Sequence, residues 1–507
     1  MRRGLSVITV RLFAVLSVGF ASLLARPALA IPVFARKYQT SCTTCHTAWP
    51  KLNPFGEAFR RNGFRFPGDD SDERKQGVTR LGVDAYKKVF PNAIWPDSIP
   101  DSVPIAFGFI GGANAAMPGT SAAASSPGVL ANPDGSPKTD AAGNVEHTGF
   151  FSLMGLTTEA HIWTGGTFNN SLSWFGEVTL STDPSAPVDI ERGYLIFDDI
   201  LSDAVGQHVF NLLVGKNFPT ITSFDNHSSY VVDGYVPEIN LAPMVGGSGS
   251  FTPGINELDT VELNGTVVGR FDYSIGFNSG TNDYSGTAPG APAAIPSVTP
   301  PSADAYAHVG FKLGGMRLDG EGGGQASDKP WAETALTVDV FGYHAESYYN
   351  NDLGGLLFDT SNTGGVAIRG QISSFELDVG AFDQLHSRAD SSGVPISAAT
   401  VWGEASYVVY PWLIPALRYE FTQINAANDP LFANGTNPAL NRILPAVNFL
   451  IRPNVRVQLL AEIDQSKDAP PGGWSGAGSA LGPEPLAEYA TGKPTLETVT
   501  ANLLYAF

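Results

Sequence analysis

Both cysteines of the 507-residue chain lie in one short motif, Ser41-Cys42-Thr43-Thr44-Cys45-His46. Two thiols three positions apart can bond to the two vinyl groups of one porphyrin, and the adjacent histidine then lies under the iron as its proximal ligand. The motif predicts one covalently attached haem c, with Cys42 and Cys45 as attachment points and His46 as axial ligand. A redox-active CxxC pair or a local disulfide is the alternative, but neither explains His46.

The residues after the motif predict one short helix with apolar cover for a porphyrin. Asn53 can cap the helix, Pro54 suits its first position, and Gly63 can end it in a left-handed conformation. Phe55 and Phe59 share one helix face because they are four residues apart. Three arginines nearby either pair with haem propionates or form a solvated basic face: Arg60, Arg61 and Arg65.

Residues 1–30 have the features of a secretory signal peptide. The segment begins with Arg2 and Arg3, continues through an apolar run, and ends on Ala28-Leu29-Ala30. We expect cleavage after Ala30 and export from the cytoplasm. The alternative is an uncleaved membrane anchor, although the apolar run is shorter than the roughly 20 residues that a spanning helix needs.

The overall composition excludes several classes of protein. The net charge of −19 argues against a nucleic-acid partner, because phosphate binding depends on clustered Lys and Arg. Charged residues are only 16% of the chain, while 56 glycines, 37 prolines and 11% aromatics argue against both disorder and a helical bundle. Residues 1–90 are basic and the remainder is strongly acidic, so two chemically different regions are joined: a cytochrome segment with linker over 31–103 and a second region over 104–507.

The second region alternates apolar and polar residues with a period of two. Residues 270–278, 375–381 and 455–464 each place aromatic or aliphatic side chains on one strand face and charged or small side chains on the other. Charges on the second face are typical of barrel strands that turn one side to lipid and the other to an aqueous lumen. A soluble sandwich would bury the apolar face instead.

Strand count and loop lengths favour a transmembrane barrel. Short connections alternate with long ones, except at 315–331, and this alternation is the pattern of short periplasmic turns and long external loops. The last strand alternates up to a terminal Phe507, as in the assembly signal of bacterial outer-membrane barrels. We therefore predict a mostly β fold, an antiparallel outer-membrane β-barrel of about 16 strands with a small helical c-type cytochrome segment plugging or docking on it. The predicted strands are 104–112, 148–164, 171–181, 190–200, 207–216, 257–267, 270–279, 304–314, 332–345, 364–371, 373–383, 398–409, 414–424, 441–451, 454–465 and 495–507.

A second axial ligand is not evident near the haem motif. From Ile31 to about Asp101 the chain has no histidine except His46 and no methionine. A sixth ligand of the iron therefore comes from the barrel, comes from a less usual group, or is absent. Alternation turns His161 and His308 toward the lumen, where an ordinary polar lumen residue is the default interpretation for each and iron ligation is a hypothesis. Further candidates lie in or near the loops: His147, His227, His386, Met117, Met154 and Met244.

The N-terminal motifs carry a resemblance to a known family. The runs Phe34-Ala35-Arg36-Lys37-Tyr38-Gln39-Thr40-Ser41-Cys42-Thr43-Thr44-Cys45-His46, Pro50-Lys51-Leu52-Asn53 and Phe55-Gly56-Glu57-Ala58-Phe59-Arg60-Arg61-Asn62-Gly63, followed by a long barrel, resemble the fused monohaem cytochrome and porin proteins of iron-oxidising bacteria. Close similarity spans residues 34–66. The resemblance implies an outer-membrane cytochrome that takes electrons from extracellular Fe(II) and passes them to a periplasmic cytochrome or another soluble carrier.

Two other functions remain compatible with the sequence. One is a diffusion porin for small solutes whose haem is structural or sensory. The other is an enzyme such as a peroxidase, which requires an iron with an open face. The chain shows no general acid and base constellation for hydrolysis or group transfer.

Overall fold

The computed structural model describes most of the barrel and the CxxCH motif. Residues 1–33, with the predicted signal peptide and its predicted cleavage point, lie outside the described residues, as do 67–104 and Phe507. The described residues are 34–35, 38, 40–66, 105–116, 119–121, 130–132, 136–139, 145–147, 150–169, 171–181, 188–232, 234–237, 240–241, 257–279, 303–321, 329–350, 356–387, 394–425, 437, 439–466, 474–475 and 494–506.

Sixteen strands of the described chain form a closed antiparallel barrel. Each strand pairs with the next along the chain, and the last pairs with the first through contacts such as Leu504 opposite Ile110. A closed barrel leaves no strand edge unpaired. The strands are β1 (Ile105–Ala116), β2 (Phe150–Asn169), β3 (Leu172–Ser181), β4 (Val188–Phe197), β5 (Asn211–Asn217), β6 (Leu258–Val267), β7 (Phe271–Asn278), β8 (Asp304–Gly314), β9 (Glu333–Asn350), β10 (Leu356–Ser373), β11 (Phe375–His386), β12 (Ile396–Tyr407), β13 (Leu413–Asn425), β14 (Ala439–Arg452), β15 (Val455–Asp464) and β16 (Thr495–Ala506).

The predicted strand count and antiparallel pairing are confirmed. The largest difference in bounds is at β10, which begins at Leu356 rather than at 364, and β2 and β9 continue to Asn169 and Asn350 rather than ending at 164 and 345. β5 begins at Asn211 rather than at 207. The first half of β10 contains the polar run Asp359-Thr360-Ser361-Asn362-Thr363, so its sequence resembles a loop although it continues the ladder with β9. Before β5 the chain forms a short helix, Ser202–Val205, and His208 has a left-handed φ of 64° that interrupts an extended strand.

The barrel has an inverted distribution of polar and apolar side chains. In β7, Phe277 is 62% exposed and Ile275 is 51% exposed, whereas Ser274 and Asp272 are buried at 0% and 6%. β11 and β15 show the same order, with Leu377 and Leu459 exposed and Asp378 and Gln458 buried. A water-soluble fold would bury the apolar face, so the outer surface of this barrel matches the lipid-facing surface that the sequence predicted.

Polar side chains in the lumen are paired with one another. Arg418 bonds to Glu420 at 2.6 Å and lies 3.4 Å from Glu404, and Arg442 bonds to the other oxygen of Glu420 at 2.6 Å. Arg369 similarly bonds to Asp378 at 2.6 Å. Buried charges require such partners because an unpaired one is costly to desolvate.

The described N-terminal segment (residues 40–66) lies inside the barrel. It contains a 3₁₀ turn, Cys42–Thr44, and one helix, α1 (Pro54–Arg61). α1 starts after Asn53, whose side chain accepts a hydrogen bond from Gly56 N, and Gly63 follows it with φ of 62°, as predicted.

Short strand pairs outside the barrel ladder join His46–Ala48 to Lys51–Leu52, Gly119–Ser121 to Val145–His147, and Asn240–Leu241 to Trp474–Ser475.

The N-terminal segment is anchored to the wall on several sides. Lys51 pairs with Glu376 on β11 at 2.6 Å, and Arg61 pairs with Asp272 on β7 at 3.1 Å. Arg65 pairs with Asp198 just after β4 at 2.9 Å. Further contacts join Trp49 O to Arg456 on β15 at 3.3 Å and Asn62 to the carbonyl of Asp319 at 2.9 Å. These wall residues lie close to the short turns, so the segment occupies the short-turn end of the lumen.

The connection at 315–331, which departs from the short-turn pattern, has a role in this anchoring. Leu318 N donates to Gly269 O at 2.8 Å, which folds the connection over the neighbouring β6–β7 turn. The same connection provides the Asp319 carbonyl that holds Asn62. Its extra length therefore closes part of the barrel end over α1.

A second segment, the inner loop (residues 218–232), folds into the lumen from the long-loop end. Ser223 N bonds to Asp339 on β9 at 3.0 Å, and Tyr230 N bonds to Glu404 on β12 at 2.7 Å. The carbonyl of Tyr230 accepts hydrogen bonds from three side chains of β14 and β15.

Within the described residues no α-helix is long and apolar enough to cross a membrane.

Candidate functional site

The cysteines sit on a tight turn that brings their side chains together. Ser41 Oγ caps the 3₁₀ turn by accepting from Thr43 N at 3.3 Å, and Cys45 N donates to Cys42 O at 3.2 Å. Neither thiol is in a disulfide. Burial, followed by the nearby Cys42 thiol, raises the pKa of Cys45 to about 12, and burial also raises the pKa of Cys42. A thiol–disulfide active site needs the opposite shift, because the thiolate is the reactive form.

His46 is held in one orientation by its own turn. Its Nδ1 lies 2.9 Å from Pro50 O. A carbonyl only accepts hydrogen bonds, so Nδ1 carries the proton and the neutral ring keeps a lone pair on Nε2. Burial lowers the pKa of His46, outweighing the bond to Pro50. The ring is therefore a neutral imidazole with one nitrogen left for a metal, which is the state that an iron ligand requires.

Asn53 and Gly56 fasten the cysteine turn to α1. Asn53 Nδ2 donates to Thr43 O at 3.1 Å and to Thr44 O at 3.0 Å, while Asn53 N donates to Cys45 O at 2.8 Å. A Cβ on Gly56 would lie 2.0 Å from Cys45 O. Only glycine permits this approach of the helix to the motif.

The motif opens into a cavity of about 390 Å³ between the N-terminal segment and the barrel wall. This volume lies in the roughly 300–1,000 Å³ range of cavities that enclose cofactor-sized ligands. Cys42, Cys45 and His46 line one side, and strands β1–β4 with the inner loop line the other. The remaining lining divides into an aromatic part and a charged part.

Aromatic side chains from both regions of the chain form the apolar part. Phe34 stacks on Phe64 with ring centroids 5.1 Å apart, and Phe64 stacks in turn on Phe175 of β3 at 5.5 Å. Trp49 meets Trp163 of β2 edge to face at 5.4 Å. Porphyrin rings favour such flat apolar surroundings, which also limit access of water to the iron.

A charged cluster on β2, β3 and β4 forms the opposite part. Glu177 Oε1 accepts from Trp163 Nε1 at 2.6 Å and from His161 Nδ1 at 3.1 Å. Glu177 Oε2 accepts from Arg192 at 2.6 Å. His161, Glu177 and Glu191 present ligand atoms within 4.8 Å of one another, but both oxygens of Glu177 are already engaged, so a free cation would have to displace Arg192.

The inner loop and α1 complete the charged lining. Arg60 Nε lies 3.6 Å from Asp225, and Arg60 also pairs with Glu57 at 3.0 Å. Burial raises the pKa of Asp225, but the positive charges led by Arg60 outweigh it and hold the pKa below its usual value. Burial raises the pKa of Glu257, just before β6, to about 7. Arg60 and Arg192 are the guanidinium groups among the residues that line the cavity.

The structure separates the three arginines that the sequence placed near haem propionates. Arg60 lines the cavity, whereas Arg61 and Arg65 bind carboxylates of the barrel wall. The idea of a solvated basic face is wrong, because Arg65 is 4% exposed and the other two are only partly exposed. Two of these arginines anchor the segment and one remains at the cavity.

The candidate sixth ligands are likewise separated. His161 and His227 line the cavity with His46. His308 faces the lumen as predicted but lies outside the cavity lining, where its Nδ1 is 3.1 Å from Ser274 Oγ and its Nε2 is 3.2 Å from Asp339. The side chains of His147, Met117, Met154 and Met244 lie outside the described residues.

Several lining residues were missed by sequence reasoning. Trp163, Glu177, Arg192 and Asp225 come from three strands and a loop, and nothing in their spacing connects them to the cysteine motif. For the strand residues, the available signal was the alternation that places every second side chain in the lumen. This alternation predicts which side chains face the lumen, but it does not predict their positions along the barrel axis.

No protein-family model and no curated protein matches the chain. Among solved structures, the anion-selective porin from Comamonas acidovorans is 12% identical with a TM-score of 0.48, covering 80% of this chain and 99% of that chain. The outer membrane channel DcaP of Acinetobacter baumannii is 12% identical with a TM-score of 0.45, covering 80% and 97%. Salmonella typhi OmpF, in complex with daunomycin, is 10% identical with a TM-score of 0.44, covering 80% and 98%.

Proposed function

We propose that this chain is an outer-membrane electron conduit with one haem c. Cys42 and Cys45 would hold the haem through thioether bonds, and His46 would be its proximal ligand. The observation that carries the proposal is the placement of these three side chains on one cavity of about 390 Å³ with an aromatic wall. Bound haem supplies a centre that accepts and releases one electron at a time.

The lining residues suit the parts of a haem. Phe64, Phe175 and Trp163 offer apolar contact to the macrocycle, and Arg60 and Arg192 offer guanidinium groups to its propionates. Both guanidiniums already pair with carboxylates at 3.6 Å or less. They therefore bring positive charge to the cavity without leaving an unpaired cation when no propionate is present.

The exposed apolar faces of the strands support an outer-membrane location. An open sheet that presented these faces to hydrocarbon would leave the backbone groups of its edge strands unpaired, whereas a closed barrel pairs all of its strands. If the short turns face the periplasm, as in other barrels of this kind, the cavity lies at the periplasmic end. A soluble periplasmic cytochrome or similar carrier could then exchange electrons with the haem.

The external donor in this proposal is Fe(II), as the family resemblance implies. The inner loop and the long-loop end of the lumen separate the cavity from the cell exterior. An apolar membrane band of about 25 Å is too thick for one haem to cross alone, so the donor must enter the lumen from the long-loop side. Carboxylates such as Asp225 and Glu257 make that side attractive to a small cation.

The first experiment tests haem attachment. The protein is produced in a bacterium with a c-type maturation system, and haem staining after denaturing electrophoresis measures covalent haem. We expect one haem in the parent and none after Cys42→Ser with Cys45→Ser. Heat-modifiable migration shows that the variant barrel is folded. A parent chain without covalent haem would refute the proposal.

The second experiment tests the direction of electron flow in intact cells. Fe(II) held by a membrane-impermeant chelator is added outside, and reduction of periplasmic cytochromes is followed optically. We expect reduction with the parent and loss of it with the double Ser variant, which keeps the barrel but lacks the haem. Equal rates in both strains would contradict the role of external Fe(II).

Diffusion of small solutes is the competing function. The N-terminal segment and the inner loop contact strands around the barrel circumference, including β2, β7, β11, β12 and β15. These contacts favour a closed lumen. Planar-bilayer recordings should therefore show no steady conductance, and large stable channels in the parent would favour the porin function.

A further inference from the structure

His161 on β2 shares the cavity with His46 and is almost fully enclosed. It is 5% exposed and lines the same cavity as Cys42 and Cys45. Its ring stacks on Trp163 with centroids 5.3 Å apart and planes 8° apart. The ring position is therefore set by the barrel wall, independently of the N-terminal segment.

One ring nitrogen of His161 is fixed by neighbouring strand residues. Nδ1 lies 3.1 Å from Glu177 Oε1 and 2.9 Å from Thr179 Oγ1. An ionised carboxylate only accepts hydrogen bonds, so its bond to Nδ1 places the proton there. Arg192 donates to Glu177 at 2.6 Å and fixes the position of this carboxylate.

The other ring nitrogen remains without a hydrogen bond among the described residues. Nε2 of His161 is buried and has no hydrogen-bond partner, and Glu159 Oε2 lies 3.5 Å from it. A buried polar atom left in this state is costly. A ligand in the cavity would remove that cost.

His46 and His161 have the same arrangement from opposite walls. Each ring has Nδ1 bonded to an oxygen acceptor, Pro50 O or Glu177 Oε1, and each keeps Nε2 for another partner. Histidines that ligate metals in proteins commonly donate the second ring N–H to a carbonyl or carboxylate, which fixes the tautomer and orients the ring. Two such histidines on one cavity can hold one iron from its two faces.

We propose that His161 is the sixth ligand of the haem iron, so that the barrel wall and the N-terminal segment are joined through the metal. This inference rests on the proposed haem function. It also closes the iron to external ligands, which removes the open face that peroxidase chemistry would need. Glu177 and Thr179 act as positioning residues because they touch the His161 ring and not the haem iron.

The competing explanation is electrostatic. A protonated His161 could pair with Glu159, Glu177 and Glu191, which lie 3.5 Å, 3.1 Å and 3.9 Å from its ring nitrogens. In that case Nε2 carries a proton and cannot bind iron. Substitution would then alter stability without changing the spin state of the haem.

The test uses the purified holoprotein with His161→Ala. Optical and electron paramagnetic resonance spectra report the ferric spin state, and carbon monoxide binding reports an open position on the ferrous iron. We expect a low-spin parent that does not bind carbon monoxide and a high-spin variant that does. Added imidazole should return the variant to the low-spin state. His161→Met, which restores a ligand, should remain low-spin with the charge-transfer band of methionine ligation.

Two other histidines complete the design. His308→Ala removes a buried lumen histidine outside the cavity and should leave the spectrum low-spin. A low-spin His161→Ala protein would overturn the proposal, and so would a parent that is high-spin. Conversion to high spin by His227→Ala alone would assign the ligand to the inner loop instead.

Covalent haem staining separates the two levels of inference. Absence of covalent haem in the parent defeats the proposed function itself. Covalent haem together with an unchanged spectrum in His161→Ala defeats the ligand assignment alone. Heat-modifiable migration of each variant shows that its barrel has folded.

Discussion

Lys51 provides the sharpest test of how the N-terminal segment is held in the lumen. Its side chain is 1% exposed, and its ammonium group pairs with Glu376 at 2.6 Å and lies 3.8 Å from Asp378. It also donates to the Ser228 carbonyl of the inner loop at 2.7 Å. Arg369 balances only one of the two carboxylates, so Lys51 supplies the second positive charge of a neutral buried group of four.

Lys51→Met removes that charge while keeping most of the side-chain volume. Breaking a buried ion pair by removing one partner costs about 3–5 kcal/mol, since the other charge stays buried without compensation. Each 1.4 kcal/mol corresponds to about tenfold in an equilibrium constant. Local opening of the segment should therefore become roughly 100- to 4,000-fold more frequent.

Hydrogen exchange with mass spectrometry in detergent micelles measures this opening. Peptides within residues 46–62 should exchange faster by that factor in Lys51→Met, while strands far from the segment keep their protection. Lys138→Met is the control, because Lys138 pairs with Glu146 at the surface with its side chain 48% exposed. Such a pair contributes about 0–1 kcal/mol.

A double variant isolates the charge. Lys51→Met with Glu376→Gln leaves Arg369 and Asp378 as a neutral pair, and we expect it to recover most of the lost protection. Unchanged exchange in Lys51→Met would refute the argument that this ion pair anchors the segment. Equal loss in single and double variants would show that packing, and not charge, is responsible.

Three further predictions concern the site. Asn53→Ala should lower the free energy of unfolding by about 1–3 kcal/mol and reduce haem incorporation, because the carbonyls of Thr43 and Thr44 lose their donor. Asn53→Asp keeps the cap of α1 but lacks the amide donor. Equal haem yield in the Asp variant and the parent would therefore contradict the role of the amide. Gly56→Ala should reduce covalent haem by displacing Cys45, whose oxygen would lie 2.0 Å from the new Cβ, and normal haem staining would exclude this steric role. Burial raises the pKa of Glu257 to about 7. The contribution of this group to folding stability is therefore present at low pH and is lost as the pH rises from the pKa of the unfolded state through about 7. The haem potential should also fall over this pH range, and Glu257→Gln should remove that part of the pH dependence in a redox titration.

The structure also explains why the connection at residues 315–331 departs from the alternation of short and long connections. Residues 315–331 follow β8 on the short-turn end, where a tight turn is expected. The connection instead carries the Asp319 carbonyl that binds Asn62 and packs over Gly269. An empty barrel would need no such connection, so its length reflects the segment that it covers.

Local sequence patterns were sufficient to predict the barrel and to locate the CxxCH motif. Period-two alternation fixes which strand face meets lipid, because successive side chains point to opposite sides, and this was enough to find all sixteen strands. Cysteine spacing predicted the attachment point, and Asn53, Pro54 and Gly63 predicted the bounds of α1. These features are local, so a few neighbouring residues encode each of them.

The residues that surround the motif are brought there by long-range contacts that local patterns do not encode. His161 and His308 have the same inward alternation, yet one lines the cavity and the other bonds to Ser274 and Asp339 elsewhere in the lumen. Their depths depend on how strands stagger around the closed barrel and on where Lys51, Arg61 and Arg65 find their carboxylates. Those pairings join residues more than 100 positions apart, and a period of two carries no information about such distances.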